Sequence, residues 1–359
     1  MSARLVSTRT ELAKNLALLA AAVVVGLMLI EVISRALMPQ WREFFSGRFM
    51  TLESVPRHGR VTVGRPGFDG YFSQNNGDFR VRITLNDFGL RNADPVTAAN
   101  ARIWVIGDSF TFGWGVRSNE MISSVIARQA GLKSYNVASP GTDVCGYQAL
   151  VARMPSGLGP RAVIVGLSLE NDVQAYDCRA RDAALQRKSP SDSNPAANLS
   201  LTGLKRFFVH YSALYNFLAV TVKKVDIVNQ ALIAIGMVAR EHSYKRPFAR
   251  DHIAAAARRT ARELANLRAM FAQGTPFAVV LIAARFEVRD GDPFYRQLRE
   301  TVTREIGNQG IAVIDPVEAF KAAGFRPTHF AHDGHWSPLG HKIAGGLAAR
   351  WVKEAAGGQ

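Results

Sequence analysis

Cysteine is nearly absent: Cys145 and Cys178 are the only two in 359 residues. A lone pair cannot build a disulfide scaffold, and its spacing excludes a CxxC redox or zinc motif. Two readings remain, one bridge formed in an oxidising compartment or two separate half-buried thiols. Acidic residues are scarce beside basic ones, 29 against 44, which gives a formal charge of +15. The lysines and arginines are nevertheless scattered rather than blocked. With no zinc-finger spacing and no aromatic-and-basic signature, nucleic acid is not an expected partner. The positive field suits phosphate, anionic lipid or an acidic glycan instead. Internal repeats are lacking too. What is present is ordinary globular composition, 48% apolar and 20% charged, enough at this length for one large core or two modest ones.

One long apolar run stands out. Residues 15–30, NLALLAAAVVVGLMLI, carry no charge and lie between Lys14 and Glu31, with Val32 and Ile33 continuing beyond. The run is short for a spanning helix and long for the apolar region of a signal peptide. Ser34-Arg35-Ala36 fits a small-x-small cleavage rule only loosely, because Glu31 and Arg35 sit where such a region is neutral. A buried globular helix would show a polar face, and none is present. The segment at 15–35 is therefore expected to be a transmembrane anchor, or an uncleaved signal, after a tail at 1–14. Arg4, Arg9 and Lys14 before it are matched by Arg35, Arg42 and Arg48 after it, so the charge rule is a tie. A short tail and one span most simply leave the tail in the cytoplasm and export the rest, which makes the protein single-pass with a periplasmic or other extracytoplasmic body.

Residues 40–100 hold short alternating runs, RVTVG, DFRVRITLN and FGLRN, punctuated by glycine and asparagine, and predict a small β-rich lead-in. From residue 101 to 355 the pattern becomes α/β. Apolar strands are expected at 102–106, 134–138, 162–168, 277–283 and 311–315, separated by helical stretches, which implies a parallel sheet covered on both faces. The clearest helix lies between Asp251, an expected N-cap, and the Gly274-Thr275-Pro276 stop. PLGHKIAGGLAARWVKEA supplies a closing helix. An insertion at about 178–250 breaks the rhythm, with a Ser/Pro/Asn-rich loop at 187–200 followed by an apolar stretch that reads as a pair of helices.

Four features fall after successive strands, at the edge where an open α/β sheet gathers ligands. They are Gly107-Asp108-Ser109, Gly141 in NVASPGTDV, Asn171 in VIVGLSLENDV, and HFAHDGHWSPLGH at 329–341. Singly each is a turn, a cap or surface decoration. In this order they supply what acyl transfer through serine needs. Ser109 is the hydroxyl, His335 a base within reach, and Asp333 a group to fix the base's tautomer. A glycine backbone N–H at Gly141 and the Asn171 amide suit an oxyanion. The four histidines His329, His332, His335 and His341 also raise a metal site. The triad accounts for His335, however, and the others lack helix-face spacing such as HExxH, so neither metal nor cofactor is expected.

The order Gly-Asp-Ser, Gly, Asn-Asp, Asp-x-His resembles the SGNH hydrolases, also called the GDSL family, over roughly residues 80–355. The resemblance implies a flavodoxin-like three-layer sandwich with a parallel five-stranded sheet. It implies a nucleophilic Ser109, a catalytic His335 with Asp333, and an oxyanion hole from the Ser109 N–H, Gly141 and Asn171. Ser109 is followed by Phe110 where many members have leucine, and a single residue, Gly334, separates Asp333 from His335 where many members have two. The Asp-x-His-Trp form, closed by Trp336, resembles a branch with membrane-associated enzymes of polysaccharide O-acetylation. NDFGLRN, 86–92, resembles the lead-in of anchored members, and its residues alone assign it no role.

The expected function is hydrolysis of O-acyl, chiefly O-acetyl, esters on a cell-envelope glycan or similar small ester. The alternative is an O-acetyltransferase of an exported polysaccharide. That activity needs an activated acetyl source, hence a separate membrane acetyl-donor protein as partner. A non-catalytic glycan-binding protein of the same fold is the third reading.

Overall fold

The computed structural model describes residues 2–74, 77–175, 177–181, 207–221 and 248–357. The chain divides into two compact units, Met1–Phe45 with Ser193–Val238, and Ser46–Asp192 with Ala239–Gln359.

In the first unit helix α1 runs over Ser2–Leu37. Its stretch Lys14–Leu37, 24 residues of mean hydropathy 2.8, is long and apolar enough to cross a bilayer. At about 1.5 Å per residue it extends roughly 36 Å, against a hydrocarbon core of about 30 Å. Of the insertion expected at 178–250, the helix Ala213–Thr221 is described. The loop expected at 187–200 and the apolar stretch beyond 221 lie outside the described residues.

The second unit opens with two antiparallel ribbons, β1 (Met50–Val55) with β2 (Gly59–Gly64), and β3 (Asp69–Ser73) with β4 (Arg80–Thr84). FGLRN, expected as a strand, is instead a turn. The Asn86 side-chain oxygen accepts the N–H groups of Phe88 (3.1 Å) and Leu90 (2.9 Å), which curls the backbone out of any ladder.

Five strands follow, β5 (Ile103–Ile106), β6 (Ser134–Asn136), β7 (Ala162–Ser168), β8 (Phe277–Ile282) and β9 (Ala312–Ile314). Their order is β6-β5-β7-β8-β9 and every neighbouring pair is parallel. This is the doubly wound order of a flavodoxin-like sandwich. All five expected strands are present, the shortest trimmed to three residues.

Side chains alternate between the two faces. Trp104 and Ile106 join Val163, Val165, Val279 and Leu281 in one apolar cluster, with helices α4 (Val144–Arg153), α5 (Ile253–Arg268) and α6 (Pro293–Gly307) contributing to it. Ile103 and Val105 join Ile164, Val280 and Ile282 in the other, with α3 (Ile122–Ala130) and α7 (Pro338–Gly357). Each fully buried Val, Leu or Ile in these layers contributes about 1.5–3 kcal/mol. Helices α3 and α7 approach closely at Gly345, where a Cβ would come within 2.7 Å of Val125.

Asp251 is not the cap of α5. A 3₁₀ turn, Arg250–His252, precedes that helix, and no side chain caps its first residue. The helix ends at Arg268, before Gly274, as Met270 and Phe271 tighten onto the carbonyls of Leu267 and Arg268. This turns the Phe271 ring onto Trp104, with centroids 5.9 Å apart.

Candidate active site

Strand β5 is followed by Gly107-Asp108, and the chain turns at once into the one-turn helix α2, Ser109–Phe112. Asp108 caps it by accepting the Phe110 N–H at 2.9 Å. Gly107 is required by packing, since a Cβ there would lie 2.2 Å from Thr111 Oγ1. The turn therefore presents Ser109 at the carboxyl edge of the sheet's central region, beside the loops that follow β6 and β7.

Ser109 Oγ lies 2.8 Å from His335 Nε2. The other ring nitrogen, Nδ1, is hydrogen-bonded to Asp333 Oδ1. The single residue between them makes this possible. Gly334 has φ +82°, and a Cβ on it would meet Arg285 Nη1 at 2.4 Å. A left-handed glycine thus folds the carboxylate back onto the imidazole two residues later. The His335 ring lies between Phe110 and Trp114, with centroids 4.6 and 5.7 Å away, and Phe110 rests on the buried Trp336.

The Asp333 loop is braced by the β3–β4 ribbon, which the sequence did not connect to it. Gln74 Nε2 donates to Asp333 Oδ2 at 2.8 Å. Asp78 Oδ2 accepts the backbone N–H groups of His332 (3.0 Å) and Asp333 (2.7 Å), and its Oδ1 bonds His332 Nδ1 at 2.8 Å. On the other side Arg285 pairs with Glu170 at 2.8 Å. Burial works against a charge on Asp333, but the facing His335 and its hydrogen bonds hold the carboxyl below its ordinary value.

Gly141 and Asn171 stand on the loops after β6 and β7, the two strands that flank β5. Both residues are exposed, and Gly141 has φ +72°. Asp172 anchors the Asn171 turn, its Oδ2 accepting the Ser168 N–H at 2.7 Å and the Tyr147 hydroxyl at 2.6 Å. Burial and the neighbouring Asp108 push the Asp172 carboxyl well above its ordinary value. Burial likewise pushes Asp108 up to about 6, against the opposing pull of His335.

A covalent link joins the two flanking loops. Cys145, in the first turn of α4 just after Gly141, forms a disulfide with Cys178, which follows the Asn171 turn, with Cα atoms 5.3 Å apart. Beside it Arg181 bonds Asp143 at 2.6 Å.

The histidines of 329–341 separate by environment. His332 is exposed, whereas His329 and His341 are 2% and 0% exposed. Burial pushes them down to about 4 and about 3, so both are neutral at pH 7. Among the described residues no three His, Cys, Asp or Glu side chains stand together as a metal site would require.

Sequence reasoning also left Arg91 without a role. It is 1% exposed, and burial alone shifts it, with no carboxylate offsetting that burial among the described residues. Its guanidinium donates to the carbonyls of Phe112 (3.3 Å), Gly113, Val116 (2.8 Å) and Arg82 (3.4 Å). Burial lowers it to about 9, which leaves it charged at neutral pH. Asn92 adds a two-way bond with the Asn136 backbone, 2.9 Å in each direction. The NDFGLRN stretch thus fastens the segment that follows Ser109. The stretch itself was the signal available in sequence, while Gln74 and Asp78 carried none.

No family model matches the chain, and no curated protein matches it. Among solved structures it is similar to a carbohydrate esterase family 2 enzyme with a carbohydrate-binding domain from Corynascus thermopiles (Myceliophthora fergusii), at 12% identity, 72% of this chain, 67% of that one and TM-score 0.40. It is similar to a lipase/acylhydrolase from Enterococcus faecalis, at 16% identity, 70% and 96% coverage and TM-score 0.39. It is also similar to Est24, a carbohydrate acetylesterase from Sinorhizobium meliloti, at 11% identity, 71% and 99% coverage and TM-score 0.37.

Proposed function

We propose that this protein is a serine-dependent acyl ester hydrolase of the SGNH type, held at a membrane by its N-terminal helix and acting on O-acetyl groups of a cell-envelope glycan. The observation that carries the catalytic part is the line Ser109 Oγ, His335 Nε2, His335 Nδ1, Asp333 Oδ1, with 2.8 Å at the reacting end.

In this reading Ser109 Oγ attacks the ester carbonyl carbon while His335 Nε2 takes the hydroxyl proton. Asp333 stabilises the imidazolium through Nδ1. The oxyanion receives the backbone N–H groups of Ser109 and Gly141 and the side-chain amide of Asn171. Collapse breaks the bond to the alcohol oxygen, which leaves with the proton from His335. Water, deprotonated by His335, then attacks the acyl-serine and releases the carboxylic acid.

The +15 formal charge supports an anionic glycan or membrane surface as the setting. The Cys145–Cys178 bridge supports an oxidising compartment, hence an exported catalytic unit. Transfer to a sugar hydroxyl in place of water uses the same five residues, and the Asp333-Gly334-His335-Trp336 form favours keeping it as the second reading. It needs a membrane protein that delivers acetyl groups.

The test is labelling with a fluorophosphonate probe and acetate release from p-nitrophenyl acetate. Both should be lost in Ser109→Ala, with turnover down by at least about 10³-fold. Labelling that persists in that variant overturns the nucleophile assignment. An oligosaccharide acceptor that gains acetyl groups at the expense of acetate release selects transfer. No turnover above the Ser109→Ala background on any acyl length selects a glycan-binding role.

A further inference from the structure

Glu31 is a carboxylate inside the apolar run of α1, six residues before the end of the stretch Lys14–Leu37. At about 1.5 Å per residue it sits roughly 9 Å inside that end. A bare carboxylate there would be strongly unfavourable in lipid. It is not bare. Arg35 Nε donates to it at 2.7 Å, Ser212 Oγ at 2.8 Å, and the backbone N–H groups of Ala213 and Leu214 at 2.8 and 3.1 Å. The Ala213 and Leu214 N–H groups open the helix Ala213–Thr221, so Glu31 satisfies donors that have no partner within that helix. Arg35 also donates to the Tyr211 carbonyl, and Trp41, Phe44 and Met38 enclose the Ala213 side chain.

The segment fixed in this way leaves large apolar side chains open. Phe207, Phe208, Tyr211 and Leu218 are 56%, 39%, 60% and 44% exposed. Phe207 contacts the Tyr211 ring at 5.0 Å, and Phe208 contacts Tyr215 at 5.7 Å. Tyr211, whose ring ends in a polar hydroxyl, and Trp41 flanked by Arg35 and Arg42 are what the headgroup level of a bilayer selects, while Phe207, Phe208 and Leu218 suit the acyl layer beneath it.

We propose that residues 207–221 form a second membrane-embedded element, seated in the headgroup and outer acyl layer of a phospholipid bilayer and pinned to the anchor by Glu31. The occupant of the open aromatic face is lipid, because its segment is hydrogen-bonded to α1 at the depth of Glu31, within a span whose own apolar side chains are uncovered. This rests on the reading of α1 as a membrane anchor. It also gives the end of α1 a structural role that cleavage after residue 36 would abolish.

The test uses the full chain in phospholipid nanodiscs, spin-labelled at one introduced cysteine, with the native cysteines kept in their disulfide. Collision with oxygen against a water-soluble nickel chelate is read at Val24→Cys, Phe208→Cys and Tyr211→Cys, and at Arg258→Cys on the exposed side of α5. The oxygen-to-nickel ratio should be high at 24, several-fold above the 258 value at 208 and 211, and low at 258. In a Glu31→Leu background the 208 label should fall to the 258 value while 24 and 258 hold.

A ratio at 208 and 211 equal to that at 258, with 24 still in lipid, overturns the second element and leaves the anchor standing. A label at 208 shielded from both reagents means protein covers the face, and overturns lipid as the occupant. An aqueous ratio at 24 overturns the anchor and the inference together. An unchanged 208 ratio in Glu31→Leu overturns the pinning role of the carboxylate.

Discussion

Gln74 donates its side-chain amide to Asp333 Oδ2 at 2.8 Å across 259 residues of sequence. The lead-in ribbon thereby reaches the loop that carries Asp333 and His335. It supplies Gln74 and Asp78 to hold that loop, to which the proposed function gives the acid and base, and Arg91 follows it to fasten the segment after Ser109.

Gln74→Leu removes a donor to a carboxylate, a bond of about 1.5–3 kcal/mol. Losing it favours the protonated form of Asp333, so the Asp333–His335 pair takes up its proton at higher pH. The expected result is a fall of about tenfold in kcat/KM, with the acid limb of its pH profile moved upward. Gln74→Asn is the control for packing. A lower but unshifted profile would assign Gln74 to loop packing alone.

Arg91→Met leaves the Phe112, Gly113, Val116 and Arg82 carbonyls without their buried donor. The expected cost is about 3 kcal/mol in urea unfolding. In protein that remains folded, kcat should fall more than KM changes, because the segment held is the one behind Ser109. Unaltered kcat in folded Arg91→Met would confine the residue to stability.

Breaking the Cys145–Cys178 bridge frees a loop of 33 residues, a loss of about 2–4 kcal/mol. Because its ends follow Gly141 and Asn171, the Cys145→Ala/Cys178→Ala variant should lose kcat with little change in KM. Thermal melting with and without reductant measures the first effect, and steady-state kinetics on p-nitrophenyl acetate the second.

His341, beneath Trp336 with ring centroids 5.7 Å apart, is buried and pushed down to about 3. An unfolded histidine takes its proton near pH 6.5, so between about 6.5 and 3 the unfolded chain binds more protons at this site. The contribution of His341 is complete above 6.5 and is lost as pH falls through that window. His341→Leu should therefore lose stability with acid less steeply than wild type, by up to about 1.4 kcal/mol per pH unit. Parallel unfolding curves at pH 7, 6, 5 and 4 check it.

Much of the fold was legible because a buried parallel strand announces itself locally. RIWVI and AVIVGLS are continuous apolar runs that end in small or polar residues, and they appear as β5 and β7. FGLRN misled because its alternation resembles a strand, while the deciding interaction is the Asn86 side chain capturing backbone N–H groups at 88 and 90. Asp251 misled because tertiary packing of Ile253 and the helix body, not the cap, sets where α5 begins.

For the site, sequence by itself determined the chemical inventory. Gly107-Asp108-Ser109 after a strand, a glycine between Asp333 and His335, and glycine and asparagine after neighbouring strands each satisfy a local requirement written in a few residues. The tertiary structure alone decided how those groups are held. Gln74, Asp78 and Arg91 bear on the site only because ribbon and sheet meet, and Cys145 reaches Cys178 only because β6 and β7 flank β5. Hydrogen bonds and disulfides between distant segments depend on where folding brings their ends, which no window along the chain encodes.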